Sequence, residues 1–247
     1  ANRPLSIIYG VDISASALSA LPDLSILASP KVSVVVGQDG AAKGAQLYTY
    51  TGKSITTLGA TLGVISATKV SENIAWVDKH NLANVELDTA AFANGVQYKG
   101  TAVGLLEQLH SFGYIFLRKF NERAGTFFNF STTATISTSD YFTIENNRTI
   151  DKALRSLRTV YIPQLNSPLS VNINGTLRID TVAYLRMIGN GALQAMLNND
   201  EVSAFEVAID PNQNVLSTSK LVVTVRIIPV GVAKTIEVNL SYTIKLQ

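Results

Sequence analysis

Two histidines, His80 and His110, are the residues of this sequence best suited to acid–base catalysis or metal binding. They stand far apart in the chain, and the absence of cysteine excludes thiolate metal ligands and disulfides. No G-x-S-x-G motif frames a nucleophile, although the members of a Ser-His-Asp set meet only in space. We therefore expect no catalytic site, no metal site and no cofactor, and we expect that the protein is not an enzyme.

Gly52-Lys53-Ser54 has the residues that end a phosphate-binding loop. That motif also needs a glycine at an earlier fixed position, and Leu47 occupies it. Gly189-Asn190-Gly191 lacks the third glycine of the dinucleotide fingerprint and falls inside a predicted helix, whereas the fingerprint follows a strand. The sequence therefore predicts no nucleotide site.

Asp210, Asn212 and Asn214 have the spacing of the first three ligands in a calcium loop. The positions that need glycine and a closing glutamate hold Val215 and Leu221. Because Asp, Pro and Asn are all favoured in turns, this segment predicts a turn between two strands.

The best polar constellation is a basic stripe, defined as Arg148, Lys152 and Arg155, on a predicted helix over residues 144–162. Apolar residues gather on the opposite face of that helix, which makes it amphipathic. Three interpretations stay open: a solvated helix face, a contact with an acidic protein surface, and nucleic-acid binding. The last has the least support because the net charge is only +2 and no stacking aromatics interleave with the stripe.

The first half of the chain alternates predicted strands and helices. Strands are predicted over residues 5–9, 31–36, 114–120 and 126–130, and helices within residues 14–27 and 41–70 and over 101–112. This alternation predicts a three-layer α/β unit over residues 1–135. A Ser/Thr-rich stretch marks its end.

The second half is organised differently. Helices are predicted over residues 144–162 and 181–198, and strands over residues 202–209, 220–228 and 235–246. Asp180 is the predicted N-cap of the second helix. Two helices followed by three strands predict an α+β domain over residues 136–247 with a small, mostly antiparallel sheet. A hydrophobic fraction of 47% supports a substantial core, and no apolar run approaches the ~20 residues that span a bilayer.

The last predicted strand has the clearest periodicity in the sequence. One face is apolar and consists of Ile236, Val238, Leu240, Tyr242, Ile244 and Leu246. Polar residues alternate with them without a break over residues 235–247, well beyond the usual strand length of about 5–6 residues. Such a strand either pairs inside its own sheet or is donated to another chain.

Several segments of the sequence resemble contractile tail sheath proteins of Mu-like phages and related contractile injection systems. The segments that resemble the sheath C-terminal domain are residues 144–155, 163–168, 203–207, 210–214 and 228–238. Similar segments in the first half are residues 34–40, 113–119 and 139–141. Sheath proteins are usually longer and have an N-terminal linking arm that is not evident here, so we expect the chain to be a fragment.

The resemblance implies a structural subunit that polymerises helically around an inner tube and contracts to drive the tube through a target envelope. Its partners would be copies of itself, the inner tail tube protein, and baseplate and tail terminator proteins, without nucleic acid or membrane insertion. Assembly would take place in the bacterial cytoplasm, as part of a phage tail or phage-tail-like particle. It implies strand exchange through Ile236, Val238, Leu240, Tyr242 and Ile244, and we take Arg148, Lys152 and Arg155 as a candidate tube or subunit contact.

Two other functions remain open at this stage. One is a soluble α/β enzyme or nucleotide-binding protein with a swapped terminal strand, against which the missing motifs argue. The other is a different strand-donating module, such as a tube or adhesin subunit. The predicted α/β first half argues against an all-β tube protein.

Overall fold

The computed structural model describes residues 5–12, 20–52, 56–85, 87–93, 95–99, 101–238 and 242. Its strands are β1 Ile7–Gly10, β2 Val32–Val35, β3 Gly37–Asp39, β4 Ala90–Phe92, β5 Tyr114–Ile115, β6 Leu117–Phe120, β7 Arg123–Phe128, β8 Ala204–Ala208 and β9 Thr224–Ile228. Its helices are α1 Ala42–Thr51, α2 Leu58–Ala67, α3 Val103–Ser111, α4 Ile144–Tyr161, α5 Ile179–Asn198 and α6 Val215–Thr218. Short 3-10 helices occur at Leu24–Leu27, Leu82–Val85 and Ile162–Gln164.

A small parallel sheet forms the centre of the first half. β2 lies between β1 and β5, with Ile7 opposite Val32 and Val35 opposite Ile115. Two antiparallel pairs, β3 with β4 and β6 with β7, accompany it. The predicted strand in residues 31–36 is confirmed.

Buried side chains pack on both faces of the parallel sheet because alternate residues of a strand point to opposite faces. Val34 and Tyr114 share one hydrophobic cluster with Leu109 of α3, whereas Val35 and Ile115 belong to a second cluster. Partly buried residues of α2 pack against the second cluster. A strand buried on both faces needs a continuous apolar run. The predicted mixed α/β class is confirmed, while the stacking in three layers stays a prediction.

The predicted strand over residues 114–120 is divided between two sheets. Tyr114–Ile115 pairs in parallel with β2, whereas Leu117–Phe120 pairs antiparallel with β7. Between them, the N–H of Phe116 donates to Asn129 Oδ1 (2.8 Å), and its carbonyl accepts from the N–H of Asn129 (2.9 Å). Asn129 therefore replaces the ladder partners at the residue where the chain changes sheets.

The second half is a helix pair packed on a two-stranded sheet. α4 lies against α5, and β8 pairs antiparallel with β9. Ala153 of α4, Leu193 of α5 and Val207 of β8 belong to one buried cluster. Both predicted helices and the first two predicted strands of this half are confirmed within a few residues at their ends.

Asp180 is not the N-cap of α5, and that prediction was wrong. The helix begins at Ile179 with Arg178 in the capping position, so Asp180 lies in the first turn. There its Oδ1 accepts from the N–H of Thr181 (2.9 Å), and its Oδ2 lies 3.0 Å from Arg178 Nη2. A carboxylate in the first turn still complements the positive end of the helix dipole.

Two other predicted elements differ from the structure. Within the described residues 20–27, a 3-10 helix spans Leu24–Leu27. Asp23 caps it, since its Oδ1 accepts from the N–H of Ser25 (2.9 Å). Pro22 precedes it, and a proline inside a predicted helix removes a backbone donor. In the predicted terminal strand, residues 235–238 are not in a strand, and residues 239–241 and 243–247 lie outside the described residues.

Candidate assembly surfaces

The two histidines lie in separate polar contacts and not in one site. His80 Nε2 lies 2.9 Å from Glu72 Oε1, and Lys79 Nζ lies 2.7 Å from the other oxygen of that buried carboxylate. His110 Nδ1 lies 3.0 Å from Asn129 Nδ2. No group of three side chains able to hold a metal ion occurs in the part of the chain that the structure describes.

His110 is held in its neutral form. Burial, and then the nearby positive charges of Lys234 and Arg118, lower the pKa of His110 to about 4. A neutral imidazole can accept at Nδ1, which fits the hydrogen bond donated by the Asn129 amide. The same amide also donates to the carbonyl of Tyr114 (2.9 Å). His110 therefore supports the sheet-changing segment around Phe116.

The rejected ligand motifs lie in ordinary structural positions. Gly52 follows α1 in the left-handed conformation, so the segment that resembles the end of a phosphate-binding loop begins at the end of a helix. Lys53 and Ser54 lie outside the described residues. Asp210 Oδ1 accepts from the N–H of Asn212 (2.8 Å), which forms the predicted turn. Asn214 then caps α6 by accepting from the N–H of Ser217.

The basic stripe is divided by its contacts. The guanidinium of Arg148 is half-buried and donates hydrogen bonds to Thr68 and Lys69. Lys152 Nζ lies 2.5 Å from Oε1 of the buried Glu201. Arg155 is exposed, and its guanidinium makes no polar contact with any described residue. The stripe thus presents one of its three cations, Arg155, to a partner without breaking a contact inside the chain.

The first turns of α4 attach the second half of the protein to the first. Arg148 donates to Thr68 Oγ1 (3.0 Å), to the Thr68 carbonyl (3.1 Å) and to the Lys69 carbonyl (3.1 Å). Asp151 Oδ1 lies 2.7 Å from Lys31 Nζ. A fork of guanidinium donors suits two adjacent carbonyls and a hydroxyl better than a single ammonium could. These contacts fix α4 on residues that precede β2 and follow α2.

A buried carboxylate lies at the centre of this attachment. Glu145 Oε2 accepts from Ser131 Oγ (2.6 Å), and Oε1 accepts from Asn73 Nδ2 (2.8 Å). Burial raises the pKa of Glu145, although these hydrogen bonds oppose the shift. Asn147 Nδ2 contacts the carbonyl of Pro30 at 2.9 Å. Glu145, Asn147, Arg148 and Asp151 together form what we call the α4 clamp.

The C-terminal end of α5 reinforces the α4 clamp from the second half. Lys69 Nζ donates to the carbonyl of Asn199 (3.2 Å), and Ser71 Oγ donates to the carbonyl of Asp200 (3.3 Å). Residues 68–73 are therefore bonded to α4 and to the two residues that directly follow α5. Sequence reasoning missed this interface because its contacts are polar, whereas the periodicity of α4 identifies only its apolar face.

The predicted exchange strand begins as an exposed segment. Ile236 is 80% exposed, Val238 is 71% exposed and Tyr242 is fully exposed. No backbone hydrogen bond joins residues 231–238 to another described residue. Leu240 and Ile244 lie outside the described residues. The exposure of Ile236, Val238 and Tyr242 is what a surface that becomes buried on assembly would show.

Residues 140–247 match the protein-family model described as "DUF2586, C-terminal domain". A chain of the anti-feeding prophage baseplate has a similar fold, with a TM-score of 0.62 and 14% identity over 97% of this chain and 60% of that one. A chain of the PVC sheath complex in the contracted state, from an extracellular contractile injection system, gives a TM-score of 0.64 and 14% identity over 96% of this chain and 64% of that one. No curated protein matches the sequence.

This chain therefore spans about three fifths of the length of these two chains. The predicted resemblance to sheath proteins of contractile injection systems is confirmed at the level of the fold. None of the described helices is long and apolar enough to cross a membrane.

Proposed function

We propose that this chain is a structural subunit of a contractile sheath that polymerises helically around an inner tube and contracts to drive the tube through a target envelope. The observation that carries the proposal is the similarity of almost the whole chain to chains of a contractile sheath complex and of an injection-particle baseplate. Its partners are copies of itself, the tube protein, and baseplate and terminator proteins. Its place is a phage tail or phage-tail-like particle assembled in the bacterial cytoplasm.

Strand exchange through the terminal segment is the proposed link between subunits. Exposed apolar side chains such as Ile236 and Val238 would each contribute about 1.5–3 kcal/mol when buried by a neighbour. β8 and β9 form a sheet of two strands, so each has an edge with no ladder partner among the described residues. An added strand gains main-chain hydrogen bonds at such an edge. The link would be kept while the rest of the subunit rotates, because residues 229–234, which precede it, are not in a strand.

The α4 clamp would hold the two halves of the subunit in one relative orientation. A sheath subunit transmits force only if its halves move together. Buried charge-assisted hydrogen bonds are directional and lock one relative orientation, whereas apolar contacts tolerate sliding. Arg148 therefore acts inside the subunit, and Arg155 is the member of the basic stripe that we assign to a tube or inter-subunit contact.

The experiment that tests strand exchange is electron microscopy of the purified protein after substitution in the terminal segment. The N–H groups of neighbouring strand residues point to opposite edges, so Glu237→Pro combined with Val238→Pro removes a ladder hydrogen bond at whichever edge is paired. We expect the wild-type chain to form helical tubes or rings and the proline variant to stay monomeric with an unchanged melting temperature. Glu237→Thr with Val238→Ile is the matched control, since it keeps the backbone donors and the apolar face, and it should assemble.

Two results would contradict the proposal. Tubes formed by the proline variant, or by a chain lacking residues 235–247, would rule out strand exchange through this segment. A wild-type protein that remains a monomer in the presence of the tube protein and that turns over a substrate would overturn the sheath function itself.

A further inference from the structure

A groove of about 910 Å³ separates the C-terminal segment from the first half of the protein. One wall consists of residues 69–79 and the β6–β7 hairpin, and the other consists of residues 230–236. We call it the cationic groove, because three cations, each beside an aromatic ring, line it. The cations and rings belong to Trp76, Lys79, Arg118, Phe120, Phe130 and Lys234.

These six residues form three cation–aromatic pairs. Lys79 Nζ lies 5.3 Å from the ring centre of Trp76, and Arg118 Cζ lies 4.4 Å from the ring centre of Phe120. Lys234 Nζ lies 5.0 Å from the ring centre of Phe130. Stacking restrains the long side chains while leaving their N–H donors free to bond elsewhere. The cations are therefore held in place before any ligand arrives, which reduces the entropy lost on binding.

Among the described residues that line the groove, lysine and arginine outnumber aspartate and glutamate. Two of its three carboxylates, Glu72 and Asp78, are already paired, with Lys79 and Arg123 respectively. Arg118 and Lys234 make no ion pair with any carboxylate in the described part of the chain. After burial, the positive charges of these two residues lower the pKa of His110, which places both of them near that ring.

We infer that the cationic groove binds an extended acidic segment of a partner protein, with carboxylates at Arg118 and Lys234 and an apolar side chain on Trp76. Trp76 is 52% exposed, so its ring offers an apolar surface beside the cations. A nucleic-acid strand fits less well. Glu72, Asp78 and Asp200 also line the groove and would repel a ligand with one negative charge per residue, whereas a protein segment can space its carboxylates.

Trp76 is the one tryptophan of the chain, so its fluorescence reports on this groove alone. The probe is a dye-labelled 12-residue peptide that repeats Glu-Thr-Leu, titrated while anisotropy and Trp76 emission are recorded at low and moderate salt. We expect saturable binding that shifts Trp76 emission and weakens as salt is raised. We expect at least a tenfold loss of affinity for Arg118→Ala combined with Lys234→Ala, and a similar loss for a peptide with Gln in place of Glu.

Lys220→Ala is the matched control, because that lysine is also exposed and lies outside the groove. It should bind the peptide as the wild type does. The melting temperature of the double variant checks that it is folded, which we expect because both residues are exposed. Equal affinity for the Gln peptide, tighter binding of a 12-nucleotide oligothymidylate, binding without a change in Trp76 emission, or no binding of the acidic peptide would each overturn the inference.

Discussion

Replacing Arg148 by alanine tests whether the α4 clamp holds the two halves of the protein together. The substitution removes three hydrogen bonds, two to Thr68 and one to the Lys69 carbonyl. A hydrogen bond from a charged donor contributes about 1.5–3 kcal/mol when well buried. Because this guanidinium is half-buried and water can replace part of each bond, we expect a total loss of about 2–3 kcal/mol in the free energy of unfolding.

Urea denaturation measures this loss. With a slope of about 2–3 kcal/mol per molar urea for a chain of this size, the midpoint should fall by about 1 M. Hydrogen exchange of the amides in residues 68–73 should accelerate in the same variant, since this loop loses its contact with α4. Arg148→Lys should give an intermediate result because an ammonium keeps the charge but cannot reach three acceptors with a planar fork.

Arg155→Ala is the control on the same helix. Its guanidinium is exposed and has no polar partner among the described residues, so the expected change is within about 0.5 kcal/mol. If Arg148→Ala and Arg155→Ala lowered the midpoint equally, the α4 clamp would contribute nothing to coupling. The two variants also distinguish an intramolecular from an intermolecular role. If Arg155→Ala loses assembly while its stability is unchanged, Arg155 belongs to an intermolecular contact.

Three further variants test the electrostatics and the terminal segment. The pKa of His110 is lowered to about 4, so between about pH 6.5 and pH 4 the unfolded chain binds a proton that the folded chain does not. The free energy of unfolding should therefore decrease as the pH is lowered through this range. His110→Gln should reduce that decrease, as measured by denaturation at several pH values. Burial raises the pKa of Glu145 above its ordinary 4.5, so the wild type should lose stability relative to Glu145→Gln as pH rises through the folded value. Ile236→Ser should leave the monomer's melting temperature unchanged, since the side chain is 80% exposed, yet weaken assembly measured by sedimentation, and equal assembly would argue against burial of this residue.

The structure changes how the basic stripe has to be tested. Replacing Arg148, Lys152 and Arg155 together would break the α4 clamp and the contact with Glu201, so lost assembly would not identify an interface. Arg155 alone gives an interpretable result. Helical periodicity placed the three cations on one face correctly, but it carries no information about which neighbours lie opposite that face.

Sequence patterns were sufficient where burial is apolar and periodic. The run at residues 31–36 predicted β2, and the spacing of apolar residues predicted α3, α4 and α5. The N-cap of α5 was less predictable. Asp180 is the residue type that favours capping, but the backbone before the helix places Arg178 in the capping position. Strand identity was also less predictable, because Phe116 changes sheets through the side chain of Asn129, which lies on the far side of a hairpin.

The sequence by itself determined the mixed α/β class, the helix pair of the second half and the absence of complete nucleotide, calcium and nucleophile motifs, because these depend on local spacing and residue type. Only the tertiary structure decided that Arg148 binds residues 68–69, that Glu145 is buried, and that cations and aromatic rings meet in one groove. These contacts join residues separated by scores of positions, and hydrogen bonds leave no periodic trace in a sequence. The alternation of apolar and polar residues over 235–247 is also a local pattern, and it does not specify the strand with which this segment pairs.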